Sequence, residues 1–178
     1  MLYITKERDK ITTVEIIAQC VGILGIIVFL LCFHFNSMKN VLKVKLLVDI
    51  IWGTHYFLLG AYSGFANNVV CSMREIVFMN NNKKFFKSTA WLYIFILFNI
   101  IGAMVTWRGF YSLIPCTTSI LATVSFWQKN VQKARVIGIT NNILMFIYDV
   151  FVSSFTGMIG EALAFISVLT AIIKNKHN

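Results

Sequence analysis

The residues able to do chemistry in this sequence are few, and most stand among apolar neighbours. Asp49 lies halfway along an apolar run at positions 41–59, followed by Trp52, His55 and Tyr56. Helical spacing sets Asp49, Trp52 and Tyr56 on one broad face. A carboxylate facing hydrocarbon costs on the order of 3 kcal/mol on insertion scales, so Asp49 is expected to face protein or water. There it either pairs structurally, with His55, a backbone donor or Arg74, or it couples a proton or binds a solute. The run 64–79 holds Asn67, Asn68, Ser72, Arg74 and Glu75, too many polar groups for a lipid-facing helix, and is expected to border a cavity. Adjacent Arg74 and Glu75 are about 100° apart around a helix, so each is expected to find a partner on another helix unless Arg74 snorkels to the headgroups. Asn141 and Asn142 sit in the middle of the run 131–151, where an amide either joins helices or hydrogen-bonds a solute. Asp149 reads as interfacial, and Glu161 joins Asp49 and Glu75 as a candidate for proton or cation coupling. The solute-contacting candidates are Trp52, His55, Tyr56, Asn68, Arg74 and Asn142.

No serine, cysteine or histidine stands in a catalytic pattern, and a single carboxylate without a second positioned group does not make an enzyme. The expectation is therefore a protein that is not an enzyme and uses no cofactor. Cys20, Cys32, Cys71 and Cys116 have neither C-x-x-C spacing nor a nearby histidine pair, so they read as inert thiols, with no metal site.

The elements that must position these groups follow from composition. The 178 residues are 58% apolar, with seven acidic residues and a mean hydropathy of +0.75. Soluble domains average roughly 45–50% apolar and about 25% charged, so the solvent implied is a bilayer. The formal charge of +9 falls between the apolar runs rather than on one face, which argues against nucleic acid. At roughly 20 residues per crossing, the chain has room for about seven crossings and no soluble domain. The runs are 14–35, 41–59, 64–79, 88–106, 110–127, 131–151 and 158–173, with Pro115 expected to kink or locally unwind the fifth. The first run reads as a retained helix rather than a cleaved leader.

Basic residues orient the chain, because they are held preferentially on the cytoplasmic side. One side receives Lys39, Lys43, Lys45, Lys83, Lys84, Lys87, Lys129, Lys133, Arg135, Lys174 and Lys176; the other receives Lys6, Arg8, Lys10 and Arg108. The expected topology is N-terminus outside, C-terminus cytoplasmic.

A repeat is expected at a spacing of 90 residues. Lys39-Asn40-Val41-Leu42-Lys43-Val44-Lys45 resembles Lys129-Asn130-Val131-Gln132-Lys133-Ala134-Arg135, and Ser63-Gly64-Phe65 falls on Ser153-Ser154-Phe155. In that register Asn142 corresponds to Trp52, Pro115 to Gly25 and Glu161 to Cys71. The fold expected is an all-α membrane protein of seven transmembrane helices. Two parallel three-helix bundles, 11–82 and 107–178, are joined by a linker helix at 83–106, and the solute site lies between them.

The stretch FLLGAYSGFANNVVCSMREI, with Trp52, Gly53 and His55 before it and Arg74 within it, resembles the YgjV-type bacterial inner-membrane family. The likeness extends diffusely from Gln19 and Gly22 to Gly160 and Glu161. That family looks distantly similar to the SWEET and SemiSWEET sugar transporters and to PnuC-type vitamin transporters, which implies the 3+1+3 layout and pocket roles for Trp52, Asn68 and Asn142. The chain lacks their Pro-Gln pair, having His34-Phe35-Asn36 there, and has Met158 opposite Asn68. The function expected is a small-solute carrier of the bacterial cytoplasmic membrane, its solute a sugar, nucleoside or vitamin-like molecule. The alternative is a structural or regulatory membrane protein whose polar residues only join helices. Homo-oligomerisation is left open.

Overall fold

In lipid a backbone must satisfy its own N–H and C=O groups, and a single segment does so only as a helix. The computed structural model describes residues 12–128 and 130–176. Seven α-helices form there: α1 (Thr13–Leu31), α2 (Met38–Leu58), α3 (Tyr62–Met79), α4 (Ala90–Val105), α5 (Leu113–Trp127), α6 (Val131–Phe151) and α7 (Phe155–Lys176). Local chemistry starts some of them. Thr12 and Glu15 form a reciprocal capping box on α1, with Glu15 N donating to Thr12 Oγ1 at 3.2 Å and Thr12 N to Glu15 Oε2 at 2.9 Å. The Asn130 side chain caps α6 by accepting from Gln132 N (3.0 Å) and Lys133 N (3.1 Å). The turn after α2 needs a left-handed residue, supplied by Gly60 (φ 68°); after α6 it is Ser153 (φ 55°).

Helices α1, α2, α3, α5, α6 and α7 each pack on the next, and α7 returns to α1, so the six close into a ring with α4 against α3 and α5. The ring is polar within and apolar without. Arg74, Glu75, His55 and Asp149 are each 0–1% exposed, whereas Phe110, Val105 and Met104 are 84%, 79% and 71% exposed. Water would reverse that distribution, and a surrounding hydrocarbon favours it.

The expectation of seven transmembrane helices is corrected. Among the described residues three helical segments are long and apolar enough to cross a membrane: Thr13–Leu31, Phe110–Trp127 and Val131–Phe151. Ala90–Val105 and Phe155–Thr170 are apolar but shorter. Helix α2 is long enough but carries Lys39, Lys43, Lys45 and Asp49, and α3 carries Asn67, Asn68, Arg74 and Glu75. Lys45, Asp49, Asn67, Asn68 and Arg74 point into the bundle, Lys39 and Lys43 are exposed at the start of α2, and all of them lower the segments' hydropathy. The sequence estimate rested on chain length, the apolar runs and the alternation of basic residues between them, and did not weigh that penalty.

Pro115 does not kink a helix interior. It stands in the first turn of α5, behind the 3-10 turn Phe110–Ser112, where a missing N–H belongs to the unpaired set anyway. The 90-residue register is also corrected. Met38–Leu58 and Val131–Phe151 have the same length and are displaced by 93 residues, as are the starts of α3 and α7. The Lys-Asn-Val match therefore falls at different depths of the two helices. Lys6, Arg8, Lys10, Lys129 and the side chains of Lys174 and Lys176, which contribute to the orientation count, lie outside the described residues.

Candidate functional site

Helix periodicity turns Lys45, Asp49, Trp52 and Tyr56 of α2 into the ring, since positions three or four apart share a face. From α3 come Asn67, Asn68, Cys71 and Arg74; from α6, Asn141 and Asn142; from α7, Glu161. With residues of α1 and α5 they line a cavity of about 190 Å³. It reaches the end of the bundle where α2 and α6 begin, at Met38, Val41, Val131 and Arg135, and runs inward to Tyr56 and Met145.

Of the candidates named from sequence, Trp52, Tyr56, Asn68, Arg74, Asn142, Asp49 and Glu161 are brought together in this wall, and His55 and Glu75 are not. Asp49 and Asn142 stand at the same place in the equally long helices α2 and α6, and both line the cavity. Trp52 is seated tightly. A Cβ on Gly25 would lie 3.1 Å from its Cε2, and one on Gly160 would lie 3.3 Å from its Cζ2.

Several expected partners are different ones. Asp49 pairs with Lys45, one turn earlier (Nζ to Oδ1, 2.9 Å), not with Arg74 or His55, because the i,i+4 lysine reaches it without crossing the cavity. Arg74 donates from Nη2 to Glu75 Oε1 at 2.8 Å, so the adjacent pair forms after all. Both side chains are long enough to converge beyond the helix surface, and at 0–1% exposure neither has water as an alternative partner. Arg74 also donates from Nη1 to Ser119 O (3.1 Å) and Thr123 Oγ1 (3.0 Å) on α5, rather than snorkelling. The Asn142 amide, oriented by its hydrogen bonds, donates to Glu161 Oε2 and Gly138 O and accepts from Phe165 N, each at 3.1 Å.

Past Tyr56 the cavity stops at a set of hydrogen bonds joining α1–α3 to α6, α7 and the turn between them. Tyr56 donates its hydroxyl to Asp149 Oδ1 at 2.8 Å. Tyr148 Oη lies 2.9 Å from Ser63 Oγ and accepts from Gly64 N at 2.9 Å. His55 lies 2.7 Å from both Ala18 O and Ser154 Oγ. A carbonyl can only accept, so Nδ1 carries a proton and donates it to Ala18 O. Gln19 Oε1 accepts from Thr156 N and Oγ1 at 3.0 and 2.8 Å. Asp149, read as interfacial, is instead fully buried in this network.

Sequence reasoning therefore missed Lys45, Ser119, Thr123, Tyr148, Asp149 and Ser154. Lys45 was legible as the i,i+4 partner of Asp49, and Ser119 and Thr123 as hydroxyls one turn apart in an apolar run. Nothing local marks Tyr148 or Ser154.

The model of the family described as bacterial inner membrane protein, Imp-YgjV, matches residues 16–178. No curated protein and no solved structure matches the chain. The likeness to sugar and vitamin transporters gains no support from these comparisons, whereas the inner-membrane family does.

Proposed function

The chain belongs to the YgjV family of bacterial inner-membrane proteins, and from that premise we propose that it carries a small solute across the membrane. One observation carries the reading: a cavity of about 190 Å³, mostly apolar in its walls but holding charged and amide side chains, inside a ring whose outside is apolar, reaching one end of the bundle and closed at the other by hydrogen bonds between the two halves. At about 30 Å³ per water molecule such a volume holds a small solute with its hydration partly exchanged for the wall. The mouth lies at the end where Lys39, Lys43 and Arg135 cluster, and the count of basic residues supports assigning that end to the cytoplasm. The cavity then faces inward, with the C-terminus cytoplasmic and the N-terminus outside.

The 93-residue correspondence between α2–α3 and α6–α7 supports treating 12–79 and 110–176 as related units. Alternating access needs bonds that form at one end when the other opens. The Tyr56–Asp149 and Tyr148–Ser63 contacts are of that kind, since each joins one unit to the other.

The test is flux in sealed proteoliposomes holding the purified protein, read by osmotic swelling against gradients of a sugar, a nucleoside, a carboxylate and an amine. Saturable flux of one class, abolished by the cavity-filling substitution Ala122→Trp in a protein of unchanged melting temperature, is the expected result. Absence of flux for every class, or flux indifferent to that substitution, overturns the carrier in favour of a structural or regulatory role.

A further inference from the structure

Independently of the carrier reading, we propose that the α3–α4 connection binds an anionic phospholipid, its lysines taking the headgroup phosphate and Phe85 the adjoining part of an acyl chain. The connection reads Asn80-Asn81-Asn82-Lys83-Lys84-Phe85-Phe86-Lys87, with three lysines and two phenylalanines in its last five positions. Its backbone closes into a 3-10 turn over Lys84–Lys87, Lys83 O accepting from Phe86 N at 3.0 Å and from Lys87 N at 3.1 Å. Side chains three apart eclipse in such a turn, so Lys84 and Lys87 stand on one side of it. Lys83, Lys84 and Lys87 are all exposed, and none has an ion-pair partner among the described residues. The chain has no acidic residue between Glu75 and Asp149, so neither the connection nor α4 supplies a counter-charge.

The apolar part of the connection is held in place. Trp91 donates from Nε1 to Phe85 O at 3.1 Å, and its ring centroid lies 5.5 Å from that of Phe85 and 5.9 Å from that of Phe86. Phe86 and Trp91 pack on the buried cluster of Leu42, Val77, Phe78 and Phe95, which fixes the turn to α2, α3 and α4. Phe85 is left 68% exposed beside the three lysines. Water disfavours that ring, whereas the boundary between headgroups and acyl chains suits both the ring and the ammonium groups. Lys39, Lys43 and Lys133, exposed at the starts of α2 and α6, have no exposed aromatic ring within four residues. Attraction to an anionic leaflet is therefore shared by the basic residues of this end, while a fixed outward ring beside the charges is particular to the α3–α4 connection. A zwitterionic headgroup offsets its phosphate with its own cation, so the lysines favour a lipid of net negative charge.

Native mass spectrometry of the full chain in detergent, titrated with phosphatidylglycerol or with phosphatidylethanolamine of the same acyl chains, tests the site. Phosphatidylglycerol is expected to bind about tenfold or more tightly, since each lysine near an anionic lipid contributes about fivefold in affinity. Lys83→Gln, Lys84→Gln and Lys87→Gln together are expected to weaken it about 100-fold, and arginine at the same three positions to preserve it. Phe85→Ser is expected to weaken it about tenfold through the lost apolar contact. Lys39→Gln, Lys43→Gln and Lys133→Gln together remove the same charge from the same end and are expected to cost less than fivefold. All these side chains are exposed, so the substitutions leave folding intact. Equal affinity for the two lipids, or equal loss in the two triple glutamine variants, overturns the site. Wild-type affinity in Phe85→Ser also overturns it, because the lysines then bind a phosphate without the lipid chain.

Discussion

Tyr56→Phe tests whether the hydrogen bonds at the closed end hold the cavity shut. The substitution removes one hydroxyl and retains the ring, which lies 5.9 Å from Trp52 and 5.7 Å from Tyr148 between centroids. What is lost is the 2.8 Å bond to Asp149 Oδ1, and among the described residues Asp149 Oδ2 makes no hydrogen bond within 3.5 Å. A buried bond to a charged group contributes about 1.5–3 kcal/mol. If the bond exists only when that end is closed, its loss raises the population of the opposite state by roughly 10- to 100-fold. Cys71 lines the cavity and serves as reporter once Cys20, Cys32 and Cys116 are replaced. A membrane-impermeant maleimide added to whole cells and to inverted vesicles is expected to label the wild-type background from one side only. In Tyr56→Phe labelling from the second side should appear, while the lipid-facing control Tyr93→Phe remains one-sided. Unchanged sidedness in a folded Tyr56→Phe protein refutes the assignment of a gating role to this bond.

Tyr148→Phe leaves Gly64 N–H, in the first turn of α3, without its acceptor, and is expected to cost about 1–3 kcal/mol in denaturant unfolding in detergent. Glu75→Gln strips the counter-charge from fully buried Arg74 and should lose about 3–5 kcal/mol, whereas the double change Arg74→Met with Glu75→Leu should unfold near the wild-type midpoint; equal loss in both refutes the pairing argument. Gly160→Ala pushes a methyl against Trp52 and Ile26, with about 1–3 kcal/mol lost, read by thermal unfolding. A tag accessible outside at the N-terminus and inside at the C-terminus is expected from the distribution of basic residues, and the reverse pattern in intact cells refutes the inward-facing mouth.

Much of the molecule was legible in one dimension. The apolar runs at 131–151 and 64–79 fall on α6 (Val131–Phe151) and α3 (Tyr62–Met79), because hydropathy and helix-ending residues act over a turn or two. Most polar residues singled out within those runs do converge on one space, since lipid penalises them everywhere else. The count of membrane-spanning helices was not legible from length, because α2 and α3 trade apolarity for inward-facing charge. The repeat register was misread for a related reason. A match of lysines and asparagines follows where headgroups lie, whereas the 93-residue displacement is set by where α2 and α6 begin and end.

Pairings were the part that only packing decided. Lys45 with Asp49 is local and could be read from spacing, but Tyr56 with Asp149 and His55 with Ser154 join residues 93 and 99 positions apart. No sequence period encodes such a distance. Asp149 looks interfacial in the chain because its neighbours end a helix, and it is buried because α2 and α7 close over that end. Sequence by itself determined that this protein lives in a membrane and which side chains must avoid lipid. The tertiary structure decided which of them meet, because those contacts depend on how six separately formed helices are rotated about their own axes and set side by side.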